Sequence, residues 1–559
     1  VLHKADTSLN RSEFNIPDIF AGYNLAASDR LLCTVLPLET ADGAVQDELQ
    51  LLGAQCGSRE VLALGQQANR HLPELKAIDA YGRRADLVEY HPAYHTLMRR
   101  SFKVGLHCSS LDGGANPFAN LQRARKIMVM GQVEAGQLCP LTMTNAAGAV
   151  LGQQGSQFLP WLQKISSRTY DQRHLPMSAK EGVTLGMGLT EKQGGTDLRQ
   201  ISTTASFLSG ERYQLNGHKW FFSAPMSDGF LILAKTTKGI SCFLVPRLNE
   251  EGGSNGLNLV RLKEKLGNQA NASSEVEIHN SHGYLVGEEG QGIKTIMGMV
   301  MPTRLDCCLG SAAVMRIAIL RALHHASCRR VFQKKLIDQP VMTSVLADMA
   351  LDCAAATSLG LQLALHMDLR GRRYSGQELS EAYLRVIIPA AKYWICKVAP
   401  TLVCEAMECL GGNGYVEDHG MARLYREAPV NGIWEGSGSV MALDLLRVLE
   451  KQPEMFELVL EHLQQTLGAA GEAACDVLSA ARHEAIYDAS KARFLCEQLA
   501  MTAAAAVLRQ ICPESIADAF MESRLAGGWR SSYGMLPARF EARQLLDWLY
   551  SLENGRSHD

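Results

Sequence analysis

The chain has 559 residues, 47% hydrophobic and 20% charged, the profile of a globular protein long enough for roughly three or four domains. A formal net charge of −3 gives no global basic field to recruit nucleic acid or an anionic membrane. Fifteen cysteines, odd in number and without a C-x-x-C pair, argue against a disulfide framework or a zinc site and for free, mostly buried thiols in a reducing compartment.

Residues 1–60 mix turn-forming stretches such as Asn15-Ile16-Pro17-Asp18 with short apolar runs. They are expected to form an extension that packs on, or between, subunits. Asp6, Glu13, Asp18 and Asp29 argue against a secretory signal or an acid-poor transit peptide. The expected location is the cytoplasm, or the mitochondrial matrix if a leader preceding Val1 was removed.

Residues 61–182 turn helical. Leu121, Ala124, Ile127, Met128 and Met130 recur near the 3.6-residue period, and Pro140, Pro160 and Pro176 mark expected helix boundaries. From 183 to 292 short β-rich runs alternate with turn residues: Tyr213–Leu215, Trp220–Ser223, Phe230–Ala234, Ser241–Pro246 and Ser274–Ile278. Asn216-Gly217 between the first two predicts a hairpin. From 293 to 450 four apolar segments (Cys308–Phe332, Val341–Leu369, Leu379–Val398, Pro400–Leu410) predict an antiparallel bundle. Residues 451–559 form an additional helical domain. No uninterrupted apolar run reaches the roughly 18–20 residues of a membrane span; the stretch 347–369 is broken by Asp348, Asp352 and His366.

The chemistry gathers in two places. Gly411-Gly412-Asn413-Gly414-Tyr415 is followed about twenty residues later by Ile433-Trp434-Glu435-Gly436-Ser437-Gly438, a carboxylate base beside backbone thin enough for a large cofactor to approach. Upstream stand Met187–Asp197 (MGLTEKQGGTD) and Asn216–Ser223 (NGHKWFFS). The first pair resembles the GGNG(F/Y) and YEGT/S signatures of acyl-CoA dehydrogenases, and the second the TEPGAGSD flavin loop and the NGxKxWITN hairpin. With Ala135–Pro140 and Leu262–Ser273, these motifs resemble the AidB-like branch of that superfamily, over about residues 60–450.

The resemblance implies an α+β, mainly α, fold: a helical N-terminal domain, a β-barrel-like middle domain, a C-terminal four-helix bundle and an extra helical domain. It implies α,β-dehydrogenation of a fatty or branched acyl-CoA, with FAD as cofactor and Glu435 as base. An electron-transfer flavoprotein or oxygen would be the acceptor, and the assembly a homotetramer. The alternative is a flavin-containing protein that sequesters acyl-CoA or shields DNA with little turnover. Thr190 and Ser223 are implied to bond the flavin ring or its ribityl-phosphate chain, Thr196 the phosphates, and the backbone of Leu189–Glu191 the pyrimidine edge. Met187, Trp220, Ile433, Trp434, Ser437 and Gly438 complete that side, with Trp220 and Phe222 expected to share a face opposite Phe221. Arg329 and Phe332 resemble an R-x-x-F-G segment whose arginine pairs with the pyrophosphate, although Gln333 replaces the glycine. Glu408 stands where relatives place glutamine, which implies weaker FAD affinity.

Arg304 matches an arginine of the acyl-CoA cleft, with an ion pair to Asp306 or to a neighbouring helix as the other expectation. The position of the alternative base used by some branches falls on or near Thr303, not on a carboxylate. No G-x-G-x-x-G follows a strand, so a dinucleotide fold is not expected. The pairs His91/His95 and His324/His325 lack a third ligand, so no metal is expected. From Leu445 to Asp559 eleven Lys/Arg face sixteen Asp/Glu, which predicts weak or absent DNA binding unless Arg524, Arg530, Arg539 and Arg543 cluster.

Overall fold

The computed structural model describes residues 15–551 except 38, 40–42, 112–115, 371–375, 526–531 and 538. Six helices, α1 (Gly43–Gly57), α2 (Arg59–Arg70), α3 (Pro92–Lys103), α4 (Ala119–Val133), α5 (Leu138–Leu151) and α6 (Leu159–Ile165), dominate the N-terminal third, with one hairpin, β1 (Glu74–Ile78) and β2 (Arg84–Glu89), after α2. Pro160 lies in the first turn of α6, where a missing N–H costs nothing. Residues 15–60, where described, pack into the chain's own core. Leu25, Leu31, Leu32 and Leu49 are buried in the same cluster as α4 and the long C-terminal helices. The buried guanidinium groups of Arg316 and Arg125 pair with Asp29 and Glu39, tying the segment down.

The middle domain holds β3 (Leu185–Gly188), β4 (Thr204–Ser209), β5 (Arg212–Ser223), β6 (Gly229–Thr236), β7 (Gly239–Pro246), β8 (Leu257–Leu262) and β9 (Ser273–Val286). A ring closes because β6 pairs with β7, β7 with β9, β9 with β5, β5 with β4, and β4 returns to β6 at Thr204–Lys235. Closure leaves few open edges. Asn216-Gly217 does not turn: β5 runs through it as one strand. The fourteen-residue β9 pairs along all of β5 and supplies more ladder bonds than a two-residue turn would. The irregularity becomes a bulge between Leu215 and Gly217, where the Asn280 N–H donates to Asn216 Oδ1 at 2.9 Å. A Cβ at Gly217 would strike Thr203.

A second irregularity, between Lys219 and Phe222, corrects the expected alternation. Lys219 and Phe222 both point inward and are buried. Trp220 and Phe221 both lie outward, with ring centroids 6.5 Å apart and Phe221 54% exposed.

The C-terminal half is built on α7 (Gly292–Cys328), α8 (Pro340–Leu369) and α9 (Gln377–Glu408), with a short hairpin, β10 (Arg330–Val331) and β11 (Lys334–Lys335), after α7. The segments 379–398 and 400–410 are one helix, since Pro389 and Pro400 both lie inside α9; packing against α7 and α8 outweighs the lost backbone bonds. Short α10 (Gly412–Tyr415) and α11 (Met421–Glu427) lead to α12 (Gly438–Lys451), followed by α13 (Pro453–Leu467), α14 (Glu472–Tyr487), α15 (Ala492–Ile511), α16 (Glu514–Arg524) and α17 (Ala542–Leu549). The buried alanines 503–506 let α15 approach α8 and α9 closely. By length and composition α7, α8 and α9 could each cross a membrane, contrary to the sequence-based expectation. Their apolar windows are 94%, 89% and 78% buried inside the fold, which accounts for the hydrophobicity without lipid.

Candidate active site

Glu435 sits in a loop that its sequence makes tight. Val430–Gly432 form a 3-10 turn, and the N–H groups of Ile433 and Trp434 both donate to the Val430 carbonyl. Glu435 itself has φ +59° and Gly436 φ +108°, before Ser437 opens α12. A left-handed glutamate is strained by about 1 kcal/mol or more, so neighbouring groups must hold it. Lys392 of α9, 1% exposed, donates from Nζ to the carbonyls of Asn431 at 2.9 Å and Gly436 at 2.8 Å. Trp434 Nε1 donates to Asn431 Oδ1 at 2.7 Å. Arg304 Nε donates to the Glu435 carbonyl at 3.2 Å.

The carboxylate of Glu435 is fixed from α7. Thr303 Oγ1 lies 2.7 Å from Oε2. Burial pushes the Glu435 carboxyl above its ordinary value, against the Thr303 hydrogen bond and the charges of Lys392 and Arg304, which favour the ionised form; Asp306 adds a smaller upward push. The residue as a whole is half-buried. A carboxylate raised in this way is suited to act as a base nearer neutral pH than a free glutamate.

Arg304 is not free to receive a distant ligand group. It is 7% exposed and pairs with Asp444 of α12 at 2.6 Å, an aspartate shared with Arg385. Asp306 pairs with Arg123 instead. The ion pair expected for Arg304 is present, to Asp444 on a neighbouring helix.

The residues implied for the flavin divide into two groups. On the barrel, Met187, Leu189, Thr190 and Ser223 are half-buried, and Ser223 Oγ lies 3.0 Å from Ser273 Oγ. The Trp220 ring carries Lys263 Nζ 3.3 Å from its centroid. Thr196 is exposed on the following loop. The Glu191 side chain is turned into the barrel, where Lys219 Nζ at 2.7 Å, Thr203 Oγ1 at 2.6 Å and Ser202 N at 2.6 Å bond it. Burial alone would raise this carboxyl, but Lys219 and the hydroxyl and amide donors hold it down at about 2. Its backbone N–H donates to Gly194 O, so Glu191 shapes the loop from within and offers neither side chain nor N–H to a ligand. Next to the carboxylate, Ile433 is 68% exposed, Ser437 is exposed, and Trp434 and Gly438 are half-buried.

The second group lies far off. Arg304 and the end of α7 at Cys328 are separated by about 36 Å at 1.5 Å per residue. Arg329 follows that end and donates to the Asn15 carbonyl, and Phe332, 91% exposed with φ +48°, tips the β10–β11 hairpin. Gly411 and Gly412 lie past the end of α9, about 24 Å from Lys392 by the same rise. A Cβ at either glycine would meet open space. Glu408 is exposed beside them. The outward Trp220–Phe221 pair and the Ser223 hydroxyl fit the planar end of a large cofactor, and the open glycine turn of the second group fits a phosphate-bearing tail.

Three family models match the chain in order: the adaptive response protein AidB N-terminal domain over residues 15–172, the acyl-CoA dehydrogenase middle domain over 186–281 and the acyl-CoA dehydrogenase C-terminal domain over 290–450. The chain is 46% identical to the putative acyl-CoA dehydrogenase AidB of Escherichia coli over 456 residues, 81% of this chain and 83% of that protein. The chain belongs to the AidB-like branch of the acyl-CoA dehydrogenase superfamily. It is also 30% identical to acyl-CoA dehydrogenase family member 11 of Caenorhabditis elegans, over 79% of this chain and 72% of that protein. The solved structure of Caenorhabditis elegans ACDH-11 in complex with C11-CoA superposes with a TM-score of 0.82 at 24% identity, covering 98% of this chain and 96% of that one. The superfamily is one of FAD-dependent oxidoreductases, and the fold is its α+β architecture with additional C-terminal helices.

Several residues around Glu435 escape a reading of the sequence. Lys392, Asn431, Asp444 and Arg385 carry no motif. Lys392 had one signal, a lone cation inside the apolar run 386–396.

Proposed function

We propose that this chain is an FAD-dependent acyl-CoA dehydrogenase that introduces an α,β double bond into a fatty or branched acyl thioester, with Glu435 as the base. The observation that carries the proposal is the held geometry of Glu435: a strained, half-buried carboxylate raised by burial, locked by Thr303, Arg304 and Lys392. Surface loop carboxylates have no reason to be held so. When bound, FAD supplies the hydride acceptor. Glu435 would take the proton from the α-carbon, and its own backbone N–H would polarise the thioester carbonyl as charge develops there. Arg304 and Lys392 keep the loop from relaxing as the carboxylate changes charge, and Trp434 shields one side from water.

Met187, Leu189, Thr190, Trp220 and Ser223 on the barrel, with Ile433, Trp434, Ser437 and Gly438 beside the base, would hold the flavin end, and Thr196 is retained as an outer phosphate contact. Arg329, Phe332 and the Gly411–Gly412 turn, some 24–36 Å away along the bundle, would serve the cofactor of a neighbouring copy, which supports a homotetramer. An electron-transfer flavoprotein is proposed as the acceptor. DNA protection is not favoured. Of the arginines that were to cluster, Arg524 is buried against Asp348 and Asp352, Arg539 pairs with Glu522, and Arg543 pairs with Asp547 and Asp338; Arg530 lies outside the described residues.

Anaerobic titration of the flavoprotein with acyl-CoAs of graded length tests the proposal. Bleaching of the flavin band supports dehydrogenation. A small spectral shift without bleaching at every chain length would mean sequestration instead.

A further inference from the structure

Thr303 stands in the middle of α7, 1% exposed, one residue after Pro302. Its hydroxyl carries a single proton and faces two acceptors, Glu435 Oε2 at 2.7 Å and the Val300 carbonyl at 3.1 Å. Among the described residues the hydrogen bond to the Glu435 carboxylate reaches Oε2, and none reaches Oε1. The two acceptors compete differently in the two charge states. A carboxylate attracts the hydroxyl proton more strongly than a carbonyl does, and the shorter contact wins. Once the carboxyl is neutral, Oε2 is no better an acceptor than Val300 O, and the hydroxyl stays bonded either way.

We propose that Thr303 is a positioning residue for the base: it pins Oε2, leaves Oε1 to accept the α-proton, and stabilises the ionised carboxyl over its acid. The inference rests on the assignment of Glu435 as base. No covalent step passes through Thr303. The proton goes from the α-carbon to Oε1 of Glu435, and the hydroxyl only changes acceptor. The other titratable or charged groups near Glu435 are Arg304, Asp306 and Cys307 on α7, Lys392 on α9 and Cys139 on α5. Asp306 is already bound by Arg123 and Thr142, and burial pushes the Cys139 thiol up to about 12, so neither supplies the stabilisation that Thr303 gives.

The test compares Thr303→Val, Thr303→Ser and Thr303→Ala with the unmodified protein. Infrared spectra recorded against pH follow the carboxylic-acid band of Glu435, assigned as the band absent from Glu435→Gln. The pH dependence of anaerobic flavin reduction is measured in parallel. Thr303→Val should raise the midpoint of the Glu435 band, and the rising limb of the rate profile, by about one to two units, the worth of one hydrogen bond to a charged group. Thr303→Ser should restore both. If Thr303→Val does not fold, Thr303→Ala gives the same reading at smaller volume.

Coincident midpoints for Thr303→Val and the unmodified protein would overturn the proposal. So would an equal shift in Thr303→Ser, which would show packing to be the cause. Undiminished flavin reduction in Glu435→Gln would overturn the base assignment and the role of Thr303 with it, whereas a lost reduction in Glu435→Gln beside an unshifted Thr303→Val would overturn the role of Thr303 alone.

Discussion

Replacing Lys392 by methionine isolates what holds the loop that carries Glu435. Nζ makes two hydrogen bonds, to Asn431 O and Gly436 O, from a position 1% exposed. The two bonds close the loop across Ile433, Trp434 and Glu435 like a clasp. Bonds from a charged donor are worth about 1.5–3 kcal/mol each, which sets a ceiling of about 6 kcal/mol. Methionine fills similar volume and relieves the burial of an ammonium, which offsets part of that loss. The net destabilisation should be about 2–4 kcal/mol, much of it released locally, because Glu435 is strained without its clasp. Losing a nearby positive charge also moves the Glu435 carboxyl further above its ordinary value, since Lys392 is one of the groups favouring its ionised form. The variant therefore needs a higher pH to keep its base deprotonated, and the rising limb of the rate profile moves to higher pH. Urea denaturation gives the global loss, and amide exchange over residues 431–437 gives the local one. A variant with an unchanged denaturation midpoint and undiminished loop protection would refute the clasp.

Two further outcomes are expected. Lys219→Met should destabilise the barrel by about 3–5 kcal/mol because it strands the buried Glu191 carboxylate, and Lys219→Met combined with Glu191→Leu should recover much of this. Glu191 is held low in the folded state, so its contribution is present above its unfolded value and is lost as pH falls toward about 2; urea denaturation against pH reads both effects, and a Lys219→Met midpoint equal to that of the unmodified protein would show the pair to be dispensable. Arg329→Ala should lower FAD occupancy and oligomer stability together, read by flavin absorbance and size-exclusion chromatography; full flavin with unchanged elution would make Arg329 a surface residue.

Much of the architecture is legible in the sequence, and the places where it is not have physical reasons. Apolar periodicity marks the long helices, but Pro400 inside α9 suggests a break that tertiary packing overrides. Asn216-Gly217 is a strong local turn signal that loses to a partner strand fourteen residues long. The same pairing introduces the bulge that sends Trp220 and Phe221 outward together, which a strict two-residue period cannot foresee. At the site, Glu435 is readable because its glycine and aromatic neighbours form a motif. Lys392 and Asp444 are not, because they act through backbone carbonyls and a buried ion pair brought together from distant segments. Glu191 lies inside a readable motif, but its direction, into the barrel and onto Lys219, depends on three-dimensional register.

The most direct test of Glu435 as base is anaerobic flavin reduction by the acyl-CoA that bleaches the unmodified protein most, repeated with Glu435→Gln. The substitution keeps the shape and an oxygen that can accept from Thr303 and removes only the basicity. The account predicts that the variant retains its fold, its flavin and its acyl-CoA binding shift, while the reduction rate falls by roughly three or more orders of magnitude, the loss expected when a positioned general base is removed. Reduction of Glu435→Gln at a rate within tenfold of the unmodified protein would contradict it.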